Sequence, residues 1–151
     1  MMRNPNPIRI LVADDDADDR MLIADAFEEA CLNNPVDFVE DGLELLEYLK
    51  HEGRYADLDE DVRPGIILLD LNMPRMDGRT ALKEIRNDPE LRNIPIVVLT
   101  TSKSEEDILR TYDLGVNSFI TKPVTFEGLV KVVQILNQYW VEIVAIPASV
   151  D

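Results

Sequence analysis

Cysteine is almost absent from this chain, because Cys31 is the only one among 151 residues. A single cysteine excludes a disulfide within the chain, and we expect Cys31 to pack as a small apolar residue near a helix end. Long apolar runs are also missing. The longest has about six residues, whereas a membrane-spanning helix needs about 20. With no signal peptide apparent at the N-terminus, these absences predict a cytoplasmic protein without a membrane partner.

Basic residues are scarce, since 15 Lys and Arg stand against 30 Asp and Glu, a net charge of -15. Such a charge disfavours nucleic acids and anionic membranes as partners, because both attract basic surfaces. The excess is local: residues 14–61 hold eighteen acids and three bases, and the remainder holds twelve of each. We expect most of this acidic segment to form the solvated face of the first two helices and of the connection after them.

Short apolar runs alternate with longer helical patterns along the chain. The predicted strands cover residues 8–13, 36–39, 66–69, 95–100 and 117–121. The predicted helices begin at Asp16, Asp41, Asp77, Ser104 and Thr125, and the first four end near residues 33, 51, 87 and 114. This alternation predicts an α/β fold with a five-stranded parallel sheet, doubly wound, and five helices on its two faces. We assign residues 1–7 to an N-terminal tail, 8–140 to the domain and 141–151 to a C-terminal extension.

The second predicted helix illustrates how its faces are assigned. Asp41 and Glu44 have the spacing of a capping box, in which the side chains of both residues satisfy free backbone amides at a helix start. Leu43, Leu46 and Leu49 are predicted to share the buried side, with Glu44 directed elsewhere. In the first helix, Asp16, Asp18 and Asp19 are predicted to be a cap and part of a solvated face.

Residues with useful chemistry follow the predicted strands. They are Asp14 and Asp15 after the first strand, Asp41 after the second, Asp70 after the third, Thr100 at the end of the fourth, and Lys122 and Pro123 after the fifth. In open α/β sheets, ligands bind beyond the carboxyl ends of the strands, where the strand order reverses. Crowded carboxylates repel one another unless a cation is present, and a hard ion such as Mg²⁺ prefers oxygen ligands.

The predicted site suits phosphoryl transfer. With Mg²⁺ bound by Asp15 and Asp70, with Asp14 acting through water and the backbone carbonyl of Asn72 as a further ligand, an ionised Asp70 can attack a phosphoryl group directly. The product is an acyl phosphate. The Lys122 ammonium and a hydroxyl at the end of the fourth strand would stabilise charge on the phosphoryl oxygens.

Four segments together resemble the receiver domain of two-component response regulators. They are residues 10–15 (ILVADD), residues 68–74 (LLDLNMP) followed by Asp77 and Gly78, residues 97–100 (VVLT) and residues 119–123 (FITKP). The resemblance covers residues 8–140 and implies a flavodoxin-like receiver fold. It implies that Asp70 is the phosphoacceptor and that Lys122 binds the phosphoryl group. It also implies that Asp14, Asp15, Asp70 and the Asn72 carbonyl hold Mg²⁺, and that Pro123 follows a cis peptide bond.

The resemblance further implies a conformational switch, in which Thr100 moves to bond the phosphoryl group and Phe119 swings into the space it vacates. Many relatives carry tyrosine at the Phe119 position, so the hydrogen bond of that hydroxyl is absent here. The readout face would be the helix predicted at residues 104–114, the fifth strand and the last helix. The chain would promote its own phosphorylation and slow dephosphorylation, and we do not expect an enzyme that turns over a separate substrate.

The chain also resembles the small single-domain response regulators that are paired with bacterial, particularly cyanobacterial, phytochrome kinases. The long connection at residues 52–64 and the apolar tail carry this likeness, which implies a sensor histidine kinase of phytochrome type as partner and no DNA-binding output domain. We predict a homodimer interface in the tail, formed by Tyr139, Trp140, Ile143 and Val144, because one helix stripe cannot bury so many apolar side chains. The alternative is that the tail extends the last helix along its own domain.

Three other functions agree less well with these residues. Phosphatases of the haloacid-dehalogenase type use a second aspartate two positions after the nucleophile, where this chain has Asn72. An electron carrier that binds FMN needs a phosphate loop after the first strand, where Asp14 and Asp15 would repel phosphate. The third is an interaction module that works without phosphorylation. No chemical role is expected for His51, the only histidine.

Overall fold

The computed structural model describes residues 8–31, 34–59, 62–71, 73–100, 115–116, 118–123 and 125–138. The strands are Ile10–Ala13 (β1), Val36–Val39 (β2), Ile66–Leu69 (β3), Ile96–Thr100 (β4) and Ser118–Thr121 (β5). The α-helices within these residues are Ala17–Glu29 (α1), Gly42–Lys50 (α2), Gly78–Asn87 (α3) and Phe126–Leu136 (α4). The helix predicted at residues 104–114 lies outside the described residues. A 3₁₀ turn, Gly53–Tyr55, follows α2 within the polar connection.

All five strands are parallel and lie in the order β2-β1-β3-β4-β5. Strand β2 therefore lies on one side of β1, and β3, β4 and β5 follow one another on its other side. The strand order reverses between β1 and β3, where Ala13 is paired with Leu69. The predicted doubly wound α/β fold is confirmed, and this pairing places the residues after β1 and β3 side by side.

Helices cover both faces of the sheet, because successive side chains of a strand point to opposite faces. Leu11 of β1 and Ile67 of β3 belong to the core under α2 and α3, whereas Val12 and Leu68 belong to the core under α1 and α4. Strands β1 and β3 are buried along their whole length. Burial of each such aliphatic side chain contributes about 1.5–3 kcal/mol. No helix in the described ranges has both the length and the apolar character to cross a bilayer.

The predicted caps are present at the helix starts. Asp16 accepts hydrogen bonds from two backbone amides of α1, and Asp41 and Asp77 each accept one, from the amides of Glu44 and Thr80. Helix α1 ends at Glu29, earlier than predicted, because Cys31 adopts a left-handed conformation with φ 60° and its amide turns back to the Glu28 carbonyl. The expectation that Cys31 packs as an apolar residue is wrong, since it is exposed.

Helix α2 corrects the predicted assignment of its faces. Leu43 is exposed and Glu44 is buried. The Glu44 carboxylate accepts hydrogen bonds from the Glu40 amide and from the Tyr55 hydroxyl. The connection after α2 therefore folds back over the helix and replaces water around Glu44. His51 ends α2, and its Nε2 lies 3.1 Å from the Val62 carbonyl oxygen, a structural contact within the same connection.

Candidate functional site

Three carboxylates meet where the strand order reverses. Asp14 and Asp15 follow β1 and Asp70 follows β3, and the two strand ends are tied by a 3.0 Å bond from the Asp70 amide to the Ala13 carbonyl. One oxygen from each of the three carboxylates lies within 4.8 Å of the others. Asp14 and Asp70 are buried, whereas Asp15 is exposed. The cluster thus opens to solvent on the Asp15 side.

Lys122 reaches this cluster from the end of β5. Its Nζ donates to Asp14 at 2.6 Å, to Asp19 at 2.8 Å and to Asp70 at 3.3 Å. Only 11% of the lysine side chain is exposed. The structure therefore brings together four residues that the sequence placed after three different strands, namely Asp14, Asp15, Asp70 and Lys122, and it adds Asp19.

Burial and charge compete at both ends of the Lys122–Asp14 pair. Burial raises the pKa of the Asp14 carboxyl above its ordinary value and outweighs the hydrogen bonds from Lys122 and from the Asp16 amide, which lower it. For Lys122, burial lowers the pKa, but the bonds to Asp14 and Asp19 raise it further, to a net value above the ordinary one. Lys122 is therefore firmly charged, and its ammonium is the local cation that a phosphoryl group would meet.

The loop after β1 is fixed by bonds to its own backbone. The Asp16 amide donates to Asp14 Oδ1 at 2.9 Å, and Arg20 Nη1 donates to the Asp14 carbonyl at 2.8 Å. The Asp14 amide donates to the Val39 carbonyl of β2 at 3.0 Å. Arg20 also lies near Glu40, with its Nη2 3.7 Å from the carboxylate. These contacts hold the Asp14 carboxylate toward Asp70.

The loop after β3 is packed tightly against the start of α3. A Cβ at Gly78 would lie 2.5 Å from the Asp70 carbonyl oxygen, so only glycine fits without a shift of the backbone that carries Asp70. Farther along the loop, Arg75 has φ 62° and binds Asp41 through Nε at 3.0 Å and Nη2 at 2.7 Å. This ion pair could not be predicted from the sequence, because nothing local links residues 34 positions apart.

Other predicted site residues are placed only in part. Thr100 ends β4 and is paired with Thr121, the residue before Lys122, but its side chain lies outside what the structure describes. Phe119 is half-buried and packs against the core under α2 and α3. The remaining predicted residues, Asn72, Tyr139, Trp140, Ile143 and Val144, lie outside the described residues.

The expected cis-proline is not observed. Among the described residues, which include Lys122 and Pro123, every peptide bond is trans. The trans form is the lower-energy isomer before proline by about 0.5–1 kcal/mol. With this trans bond the Lys122 ammonium already contacts the carboxylates after β1 and β3.

Asp19 is the functional candidate that sequence reasoning missed, since it was assigned to a solvated face. It lies one helical turn beyond the cap Asp16, and its carboxylate points back to Lys122. The signal in the sequence is this spacing, which places Asp19 in the first turn of α1, the end of the helix that follows Asp14 and Asp15. A contact between residues 103 positions apart could not be predicted from it.

The donor set fits a divalent cation. Asp14, Asp15 and Asp70 offer oxygen ligands only, which hard cations prefer over the softer transition metals that favour nitrogen and sulfur. When bound, such a cation neutralises carboxylate charge that one lysine cannot balance alone. The exposed Asp15 leaves room for water or for an incoming ligand on the open side.

Comparison with known proteins agrees with this site. The response regulator receiver domain matches residues 10–134. The response regulator Rcp1 of Synechocystis sp. is 39% identical over 146 residues, which cover 97% of each chain. The structure of the phosphorylated cyanobacterial phytochrome response regulator RcpA is similar with a TM-score of 0.85 at 40% identity, over 93% of this chain and 99% of that one. The Mn²⁺-bound form of Rcp1 gives 0.83 at 38% identity, with the same coverage. The chain therefore belongs to the response regulator receiver domain family.

Proposed function

We propose that this receiver accepts a phosphoryl group on Asp70 from a sensor histidine kinase, with Mg²⁺ as the cation, and signals in the cytoplasm through contacts with other proteins. The observation that carries the proposal is the Lys122 ammonium, which bonds to both Asp70 and Asp14 at the point where the strand order reverses. This arrangement provides a nucleophilic carboxylate, a metal-binding carboxylate and a fixed cation within one small volume. We assign no separate enzymatic activity, because these groups suit transfer to Asp70 itself.

In the proposed step, a carboxylate oxygen of Asp70 forms a bond to phosphorus as the phosphorus–nitrogen bond of the donor's phosphohistidine breaks. The electron pair of that bond returns to the imidazole of the kinase, and no general base is needed because a carboxylate attacks directly. Lys122 can donate a hydrogen bond to the phosphoryl oxygens as charge spreads over them. The buried walls around Asp14 and Asp70 strengthen that interaction, because few water molecules compete with it.

Acetyl phosphate with Mg²⁺ tests the chemistry without a kinase. Wild-type protein should take up one phosphoryl group in an acid-stable, base-labile form, as seen by intact-mass spectrometry. Asp70→Asn should take up none, and Asp18→Asn, which removes an exposed carboxylate from α1, should behave as wild type. Equal uptake by Asp70→Asn would exclude Asp70 as the phosphoacceptor.

The similarity to the cyanobacterial phytochrome response regulator RcpA supports a phytochrome-type kinase as the donor. Phosphotransfer profiling against the histidine kinases of its own organism tests this pairing. The phytochrome kinase should transfer its phosphoryl group to the chain fastest at equal concentrations. Faster transfer from a kinase of another class would overturn the phytochrome pairing while leaving Asp70 as acceptor.

We also propose that phosphorylation is read through Thr100 and Phe119. Thr100 is the last residue of β4, at the edge of the sheet that carries the site, and Phe119 is half-buried in the neighbouring strand β5. A movement of Thr100 can therefore change the packing around Phe119. Thr100→Ala should keep phosphoryl uptake but lose the change in Phe119 ring environment on phosphorylation, measured by NMR. A phosphorylation-dependent Phe119 shift in Thr100→Ala would exclude this coupling.

A homodimer through Tyr139, Trp140, Ile143 and Val144 completes the proposal. It is supported by the concentration of apolar residues beyond Gln138 in the sequence. Sedimentation of the full chain and of a chain truncated after Gln138 tests it. The full chain should sediment as a dimer and the truncated chain as a monomer, and an equal state of association in both would remove this interface.

A further inference from the structure

The Lys122 ammonium is held in part by a carboxylate outside the metal cluster, that of Asp19. A lysine ammonium has three N–H donors, and here they bond to Asp14, Asp19 and Asp70. The two bonds toward the β1–α1 side measure 2.6 and 2.8 Å, whereas the bond to Asp70 measures 3.3 Å. The ammonium is therefore drawn toward α1 and away from the phosphoacceptor.

A phosphoryl group on Asp70 would compete for this ammonium, because it adds negative charge and acceptor oxygens beside it. To approach the group, Lys122 must loosen a bond on the α1 side. Asp14 is a poor candidate for release, since only 2% of its side chain is exposed and a buried carboxylate without its partner is costly. The Asp19 side chain is 35% exposed, so water can replace the lysine there.

We propose that Asp19 is a positioning residue that tethers Lys122 in the unphosphorylated protein and opposes the phosphorylated state. The inference rests on the proposed function, because it concerns the response of Lys122 to a phosphoryl group on Asp70. Asp19 sets how much free energy is needed to bring the Lys122 ammonium onto the phosphoryl oxygens. Removing the Asp19 carboxylate should therefore favour the phosphorylated state.

Equilibrium binding of beryllofluoride, a phosphoryl analogue, tests the tether. Titrations by calorimetry at saturating Mg²⁺ would compare wild type with Asp19→Asn and with the matched control Asp18→Asn. Asp18 lies one residue away in the same helical turn, is exposed, and is not among the three partners of Lys122 named above. We expect Asp19→Asn to bind beryllofluoride roughly 1.5- to fivefold more tightly than Asp18→Asn, the range set by one partly exposed ion pair.

Asp18→Asn corrects for the general loss of one negative charge near an anion, so the difference between the two variants measures the tether. Asp19→Glu, which keeps the carboxylate, should return the affinity toward the wild-type value. Equal affinity in Asp19→Asn and Asp18→Asn would overturn the inference, and weaker binding by Asp19→Asn would show instead that Asp19 orients Lys122 for the phosphoryl group. If the wild-type protein takes up neither the phosphoryl group nor beryllofluoride, the proposed function fails. If the wild-type protein binds beryllofluoride but Asp19→Asn and Asp18→Asn bind it equally, only the tether fails.

Discussion

Arg75 binds Asp41 through two nitrogens, with Nε and Nη2 both on Asp41 Oδ2 at 3.0 and 2.7 Å. Asp41 also caps α2, because its Oδ1 accepts the Glu44 amide at 2.8 Å. The pair therefore ties the loop after β3, which begins at Asp70, to the start of α2. Its two partners differ in exposure, since the Asp41 side chain is 9% exposed and the Arg75 side chain 52%.

The two roles of Asp41 can be separated by substitution. Asparagine still caps a helix, so Asp41→Asn should lose only the ion pair and reduce the free energy of unfolding by about 0.5–1 kcal/mol, a modest value because Arg75 is half exposed. Asp41→Ala also loses the cap and should cost about 1 kcal/mol more. Urea denaturation of both variants, and of each combined with Arg75→Gln, measures the two contributions. A coupling energy of zero between Asp41→Asn and Arg75→Gln would contradict a stabilising pair.

The contribution of Asp41 should depend on pH. Burial raises the pKa of its carboxyl, but the Glu44 amide and Arg75 together lower it more, so the folded-state pKa lies below the ordinary value of 3.8. A depressed carboxyl pKa stabilises the folded state above the unfolded pKa, and this stabilisation is lost as the pH falls through the folded pKa. The difference in unfolding free energy between wild type and Asp41→Asn should therefore be constant near neutral pH and shrink below about pH 4. A difference that grows on acidification would show that the pKa is raised instead.

Gly78 is expected to control the backbone of the phosphoacceptor. In Gly78→Ala the new methyl would meet the Asp70 carbonyl oxygen at 2.5 Å and the Leu71 Cα at 2.7 Å, so this backbone must shift. We expect a loss of about 1–3 kcal/mol in stability and slower phosphoryl uptake from acetyl phosphate.

Gly42→Ala is the matched control for that experiment. It also forces a methyl against this loop, but the methyl would meet the Met76 carbonyl oxygen and not the backbone of Asp70. Both variants should lose stability, and uptake should slow more in Gly78→Ala. Equal uptake rates in the two folded variants would show that the Asp70 carboxylate does not depend on this glycine.

Mg²⁺ should stabilise the fold through the carboxylate cluster. A ligand that binds only the folded state at about 100 times its Kd adds about 2.7 kcal/mol, which raises Tm by roughly 5–10 °C in a domain of this size. Asp15→Asn should lose most of this shift, because Asp15 belongs to the cluster and, being exposed, can be replaced without disturbing the core. Asp18→Asn should keep the shift. Scanning calorimetry with and without MgCl₂ makes the comparison, and a full shift in Asp15→Asn would remove Asp15 from the ligand set.

Three features could be predicted from the sequence alone: the alternation of strands and helices, the caps at Asp16, Asp41 and Asp77, and the edge of the sheet at which Asp14, Asp70 and Lys122 meet. These features follow from local rules. Apolar runs and helical spacing repeat within a few residues, and parallel strands joined by short crossovers place all their carboxyl ends at one edge.

The contacts between side chains depend instead on tertiary packing. It buried Glu44, exposed Leu43, paired Arg75 with Asp41 and directed Asp19 to Lys122. Each of these depends on how a loop or helix from elsewhere in the chain packs against the residue, and periodicity within one helix carries no information about that neighbour. Asp19 is predicted to be solvated for the same reason, since the chain has a net charge of -15 and nothing near Asp19 in the sequence indicates a partner. Its partner is the Lys122 ammonium, which the end of β5 places 2.8 Å from the carboxylate.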